Sequence, residues 1–163
     1  MTLRLAPEWQ TSAWFNTPAP LTLSGLRGRV VLVHAFQMLC RGCVEYGLPQ
    51  AQRVAALFAA APVTVVGLHT VFEDHDAMRP DALEAFLRER RLSFPVGVDQ
   101  AAADGEAIPA TMKAYAMQGT PTTILIDAHG RLRRQVFGPH DDLLLGAELG
   151  TLIAERDAGQ PGA

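Results

Sequence analysis

The stretch VVLVHAFQMLCRGC, residues 30–43, contains both cysteines of this chain of 163 residues. Its first half is apolar and rich in β-branched residues, which predicts a buried strand interrupted by one polar side chain, His34. Cys40 and Cys43 follow this strand, three positions apart. Two closely spaced thiols therefore stand where a buried strand gives way to the next element.

Apolar residues at helical spacing follow the cysteines and predict one helix from about Cys40 to Ala60, bent near Pro49. Cys40 would then lie at the N-terminus of the helix, where unpaired N–H groups and the helix dipole favour a thiolate. Arg41 adds a positive charge beside it. Cys43, one turn further along, is expected to be more buried and placed to attack a mixed disulfide on Cys40.

Strands and helices alternate along the rest of the chain. Further strands are predicted in PVTVVGLHT (62–70), SFPVGVD (93–99), TPTTILID (120–127) and RLRRQVFG (131–138), the last two forming a hairpin. Further helices are predicted in RPDALEAFLRERR (79–91), IPATMKAYAM (108–117) and DDLLLGAELGTLIAERD (141–157). LTLSGLRGRVV (21–31) predicts a short strand and a glycine turn before the core strand. This order predicts an α/β fold with a mixed central sheet covered by helices on both faces.

The length fits one domain. We expect an N-terminal extension at 1–20 that is irregular and packs on the domain through aromatic side chains, Trp9, Trp14 and Phe15. The domain itself is expected at 21–156, and a frayed tail at 157–163.

Composition argues against several classes of protein. The net charge is −3 and no basic run stands out, so nucleic acid is not an expected partner. No apolar stretch approaches the roughly 18 residues of a transmembrane helix, so a membrane partner is not expected either. The first twenty residues lack the continuous apolar segment of a signal peptide, and we therefore expect a cytoplasmic location.

The cysteine pair could bind zinc, close a loop as a structural disulfide, or exchange electrons in a redox reaction. A structural zinc site needs four ligands, and this chain has only two cysteines. The two histidines closest in sequence, His69 and His75, flank the acidic residues Glu73 and Asp74. This segment is better explained as a solvated loop than as a metal site. A disulfide that closes so short a loop removes little chain entropy. A C-x-x-C beside a β-α-β pattern favours the redox use, with no metal and no cofactor.

Three segments together resemble the thioredoxin superfamily: the strand VLVHAF, the C-x-x-C pair and the distant GTPTTILIDAHGRL (119–132). They are most similar to the TlpA/ResA branch, which borders on the AhpC/TSA peroxiredoxins. The resemblance implies a thioredoxin-like three-layer α/β/α fold and a thiol-disulfide oxidoreductase. It would act on a disulfide-bearing protein, whose disulfide it would reduce, or on a small thiol substrate, and a further, unknown reductant would restore its dithiol.

The resemblance also implies roles for individual residues. Cys40 is expected to be the nucleophile and Cys43 the resolving thiol. The Thr120–Pro121 peptide bond is expected to be cis and to face the cysteines, since X-Pro bonds adopt the cis form at modest cost. The backbone of Thr120 would bind a docked substrate as an added strand, and Arg41 and Gly42, between the cysteines, would contact the same substrate.

This sequence departs from the family pattern near the cysteines. Leu39 stands where the family has Trp, and Gly42 stands where Pro is frequent. The position of a ResA-like Glu is occupied by Tyr46, so the neighbouring Glu45 is a candidate for its role. His34, six residues before Cys40, replaces a buried Asp that handles protons in thioredoxins. His34 is either a proton acceptor for the resolving thiol or a core histidine.

Two alternatives to the reductase remain. A peroxiredoxin-like thiol peroxidase would carry Pro-x-x-x-Thr-x-x-Cys before its reactive cysteine, but Val33 and Gln37 occupy the Pro and Thr positions here. A non-catalytic thioredoxin-fold module could bind a partner beside Pro121, although two intact cysteines argue against it.

Overall fold

The computed structural model describes residues 3–159. Its strands are β1 (Thr11–Phe15), β2 (Val30–Phe36), β3 (Val63–His69), β4 (Val96–Asp99), β5 (Thr122–Ile126) and β6 (Leu132–Phe137). Its α-helices are α1 (Leu48–Leu57), α2 (Pro80–Glu89), α3 (Ala110–Ala114) and α4 (Asp142–Ala158). A 3₁₀ turn covers Ser24–Leu26, and a π-helical turn covers Cys43–Gly47. No helix within the described range is long and apolar enough to cross a membrane.

The strands form one sheet in the order β1-β4-β3-β2-β5-β6. β2, β3 and β4 are parallel, whereas β1, β5 and β6 each pair antiparallel with a neighbour, so the sheet is mixed as predicted. Helices α1, α2 and α4 share one hydrophobic cluster with the sheet. A second cluster joins the sheet to α3 and the N-terminal segment. The predicted three-layer arrangement is confirmed, with β2 next to the centre of the sheet.

The N-terminal segment is more regular than predicted. Within it, β1 pairs antiparallel with β4, so this segment supplies an edge strand of the sheet. The strand predicted near residue 21 is wrong: a 3₁₀ turn follows there because the Glu8 carboxylate accepts the N–H groups of Leu23 and Ser24. Those amides therefore have a side-chain acceptor and need no neighbouring strand.

The C-terminal boundary also differs from the prediction. The expected frayed tail at 157–163 begins inside α4, which continues to Ala158. Residues 160–163 of that tail, and residues 1–2 of the expected extension, lie outside the described residues.

The helix predicted after the cysteines is present, but its first part is not a regular α-helix. The N–H of Leu48 bonds the carbonyl of Cys43, five residues earlier, which defines a π turn. Pro49 follows and has no N–H to give to the carbonyl of Glu45. The wide turn therefore lies next to the proline where a bend was predicted, and α1 ends at Leu57, short of the predicted Ala60.

Candidate redox-active site

The two cysteines lie at the junction of β2 and the following helix. Cys40 and Cys43 form a disulfide with a Cα–Cα distance of 5.2 Å. Cys43 is fully buried and Cys40 is partly exposed, as predicted. The N–H of Cys43 lies 3.2 Å from Cys40 Sγ. We expect this amide, at the start of a helix, to stabilise a thiolate on Cys40 in the reduced protein.

The predicted cis bond is confirmed: within residues 3–159, the Thr120–Pro121 peptide bond is cis and no other is. The carbonyl oxygen of Thr120 lies 3.6 Å from Cys40 Sγ. Because a disulfide sulfur carries no proton, this is a van der Waals contact in the oxidised state, and the Cys40 thiol can donate to the carbonyl once reduced. A Cβ added to Gly42 would lie 3.4 Å from Pro121 Cδ, so the residue between the cysteines packs closely on the proline.

His34 lies under the helix that carries the cysteines. Its side chain is 2% exposed, and its Nε2 has no hydrogen-bond partner among the described residues. Burial lowers the pKa of His34 to about 4, so the imidazole is neutral at pH 7 and one of its ring nitrogens carries no proton. A Cβ added to Gly47 would overlap the imidazole. Gly47 lies one helical turn beyond Cys43. No local pattern in the sequence indicates that it contacts His34.

A cavity of about 280 Å³ reaches His34 from the surface. Its lining combines the start of the helix with the loop after β6: His34, Glu45, Tyr46, Gly47, Gln50, Arg53, Pro121, Thr123, Gly138, Pro139, His140, Asp141 and Asp142. The carboxylate of Glu45 is exposed and pairs with Arg41 Nε at 2.8 Å. Glu45 and His34 therefore line the same cavity, and the guanidinium of Arg41 forms an ion pair with Glu45.

The acidic segment after β3 does not gather into a metal site. His69 is buried at its start, whereas His75 faces the carbonyl of Ala107 on the other side of the segment. Within residues 3–159, no three His, Cys, Asp or Glu side chains are grouped to hold a metal ion. His69 Nε2 instead accepts the N–H of Met38 at 3.2 Å. Burial lowers the pKa of His69 to about 4, which keeps the ring neutral and able to accept this bond.

Comparison with known proteins agrees with this geometry. The redoxin family model matches residues 5–142. The crystal structure of the thioredoxin-like superfamily protein SPOA0173 superposes with a TM-score of 0.90 at 51% identity, covering 99% of this chain and 100% of that one. A thiol-disulfide isomerase from Corynebacterium glutamicum superposes with a TM-score of 0.86 at 46% identity, covering 91% and 97%. The fold is thus thioredoxin-like.

A more distant relative is much longer than this chain. Protein DipZ of Mycobacterium tuberculosis is 27% identical over 132 residues, which are 80% of this chain and 18% of DipZ. The chain therefore spans about a fifth of the length of that curated relative.

Proposed function

Because this chain belongs to the redoxin family, we propose that it is a thiol-disulfide oxidoreductase of the TlpA/ResA type that reduces disulfide bonds in proteins. One observation carries the proposal: a partly exposed Cys40 at a helix N-terminus is bonded to a fully buried Cys43 beside the cis Pro121. The Corynebacterium relative, described as a thiol-disulfide isomerase, supports the same chemistry.

The reaction starts from the dithiol. The Cys40 thiolate attacks a substrate disulfide, a new S–S bond forms to Cys40, and one substrate sulfur leaves as a thiolate. Cys43 then loses its proton and attacks Cys40 Sγ, which releases the second substrate sulfur. Two electrons have passed to the substrate, and the Cys40–Cys43 disulfide remains. An external dithiol reductant returns the pair to thiols.

His34 is the proposed proton acceptor for Cys43. A fully buried thiol needs a nearby base, because water cannot reach it freely. The His34 imidazole is neutral, its Nε2 has no partner within residues 3–159, and it packs against Gly47, on the same face of the helix as Cys43. Glu45 opens on the same cavity and would pass the proton to solvent.

The substrate is proposed to dock along the Thr120–Pro121 segment. The backbone of Thr120 would pair with an extended peptide on the substrate. Gly42 lies close to this segment, since a Cβ added there would be 3.4 Å from Pro121 Cδ, and Arg41 beside it would contact the same substrate.

Single cysteine variants test the mechanism. Cys40→Ser should abolish attack on a disulfide substrate, because the remaining thiol is buried. Cys43→Ser should attack normally and then hold the substrate as a mixed disulfide, seen by mass spectrometry and released by dithiothreitol. Full turnover by Cys43→Ser, or substrate trapped by Cys40→Ser, would overturn the assignment.

We propose that the protein works as a reductant in the cytoplasm, and its reduction potential tests this. Equilibration with glutathione buffers, read by alkylation of free thiols, gives the potential. A value near the roughly −270 mV of thioredoxin supports a cytoplasmic reductant. A value near the roughly −120 mV of strongly oxidising periplasmic enzymes contradicts it.

A further inference from the structure

Gln37 connects three loops around the redox pair. It stands three residues before Cys40, is 1% exposed, and uses both ends of its amide. Its Nε2 donates to Glu73 Oε1 at 3.2 Å and to Thr120 Oγ1 at 3.4 Å, and its Oε1 accepts the N–H of Phe72 at 3.2 Å. One buried side chain therefore joins the approach to Cys40, the loop after β3 and the cis-proline loop.

The chemistry of the partners fixes the orientation of this amide. The N–H of Phe72 can only donate, and the carboxylate oxygen of Glu73 accepts. A flipped amide would place an NH₂ group against the N–H and an oxygen against the carboxylate. Phe72 and Glu73 thus hold the Gln37 NH₂ group toward Thr120.

The same loop holds the main chain before Cys40 at two further points. The N–H of Met38 donates to His69 Nε2 at 3.2 Å, and the N–H of Thr70 donates to the carbonyl of Phe36 at 3.0 Å. Residues 36–38 are therefore anchored to residues 69–73 by both backbone and side-chain bonds. The acidic segment, which the redox chemistry itself does not use, supports the loop that presents Cys40.

We propose that Gln37 is a positioning residue for substrate docking: its amide, oriented by Phe72 and Glu73, holds Thr120 so that the Thr120 backbone meets an incoming peptide beside Cys40. The inference rests on the proposed function, in which that backbone binds the substrate. The hydrogen bonds of the Gln37 amide go to Phe72, Glu73 and Thr120, so its proposed action on the substrate is indirect, through Thr120. Its effect should therefore appear with peptide disulfides, which need the Thr120 backbone, and be absent with small disulfides, which do not.

The experiment measures single-turnover attack in the Cys43→Ser background, where the mixed disulfide accumulates. Two substrates are compared: a peptide disulfide and a small aromatic disulfide, dithiobis(nitrobenzoate). Gln37→Met keeps the length of the side chain and removes its hydrogen bonds. It should slow attack on the peptide by about 2- to 10-fold, the effect of one hydrogen bond, and leave attack on the small disulfide unchanged.

Two further variants complete the test. Glu73→Gln keeps an acceptor oxygen for Gln37 and should retain more of the peptide rate than Glu73→Ala. Gln135→Met is the matched control, since its Nε2 bonds the carbonyl of Tyr115, outside the redox site. Equal slowing with both substrates, no slowing by Gln37→Met, or the same selective slowing by Gln135→Met would overturn the inference. If the parent Cys43→Ser protein attacks neither disulfide, the proposed function itself fails.

Discussion

Among single residues, the contact between Gly47 and His34 most directly links packing to the proposed chemistry. Gly47 has an ordinary helical φ of −67°, so its backbone conformation does not require glycine. Any Cβ there would overlap the His34 ring, and Pro121 Cβ lies 3.4 Å from the same point. The missing side chain therefore makes room for a buried imidazole under the redox helix.

A double-mutant cycle tests this contact. Gly47→Ala should lower the free energy of unfolding by about 1–3 kcal/mol, because the new Cβ overpacks the site. At an unobstructed helix position, the same substitution would instead stabilise the protein by roughly 1 kcal/mol. In the His34→Ala background the same change should cost much less, because the ring is gone. Urea denaturation measures all four proteins.

Gly146→Ala is the control for that cycle. Gly146 lies in α4 with nothing within 4 Å of its added Cβ, so this change should stabilise the protein. Equal destabilisation by Gly47→Ala with and without His34 would show that the two residues do not interact.

The lowered pKa values of the buried histidines also lead to a prediction of how the free energy of unfolding depends on pH. Unfolded His34 binds a proton near pH 6.5, whereas the folded protein binds it only near pH 4. Between these values the unfolded state holds more protons, so the free energy of unfolding falls as the pH is lowered through this window. His34→Phe should reduce this slope, by up to about 1.4 kcal/mol for each pH unit.

Urea denaturation at about pH 5 and about pH 7.5 measures the slope, with His75→Gln as the control because His75 is exposed. His69 has the same lowered pKa and should keep part of the dependence in the His34→Phe protein. If the free energy of unfolding depends on pH equally in His34→Phe and in the wild type, the claim that His34 is buried and neutral is wrong.

On the scale of elements, Asp141 caps the N-terminus of α4. Asp141 precedes the helix with an extended backbone, and its Oδ1 accepts the N–H groups of Leu143 and Leu144 at 3.0 and 3.1 Å. These are two of the amides that a helix leaves without partners at its start. The cap also fixes where the loop after β6 ends, and that loop lines the cavity that reaches His34.

Asp141→Ala should therefore lower the free energy of unfolding by about 1 kcal/mol. Asp141→Asn, which keeps an acceptor oxygen, should lose much less. Chemical denaturation compares the two, and Asp157→Ala, at the far end of the helix, serves as the control. Asp141→Asn as unstable as Asp141→Ala would show that the lost charge, not the lost cap, matters.

Across the whole molecule, the N-terminal segment completes the face of the sheet opposite α1. Trp9 is 7% exposed within the second core cluster, and its Nε1 donates to the carbonyl of Leu21 at 2.7 Å. The hydroxyl of Tyr115, next to α3, donates to the carbonyl of Pro7 at 2.6 Å. The segment is thus joined to the sheet and to the α3 region by both apolar burial and partly buried hydrogen bonds.

Trp9→Ala should destabilise the protein by about 3–5 kcal/mol, because it leaves a large cavity and an unpaired carbonyl. Thermal unfolding followed by circular dichroism should show a clearly lower midpoint. Leu57→Ala is the control, since that side chain is 79% exposed. A midpoint equal to wild type would mean that the segment contributes little to the core.

Much of the framework was determined by local sequence. The apolar runs of β2 and β3 and the helical spacing after the cysteines predicted the central elements, because burial imposes those patterns on each segment separately. The C-x-x-C pair, His34 and the residues before and after the Thr120–Pro121 bond were likewise recognisable in the sequence. The structure then brought Cys40 and Thr120, eighty residues apart, into contact.

Only the tertiary structure decided the rest. The pairing of β1 with β4 joins segments about eighty-five residues apart, and TSAWF has no periodicity that marks it as a strand. The bond from Gln37 to Thr120 spans 83 residues, and the clearance between Gly47 and His34 depends on how the helix lies on the sheet. Such contacts follow from the packing of whole elements, whereas periodicity and local chemistry report only the environment of one segment at a time.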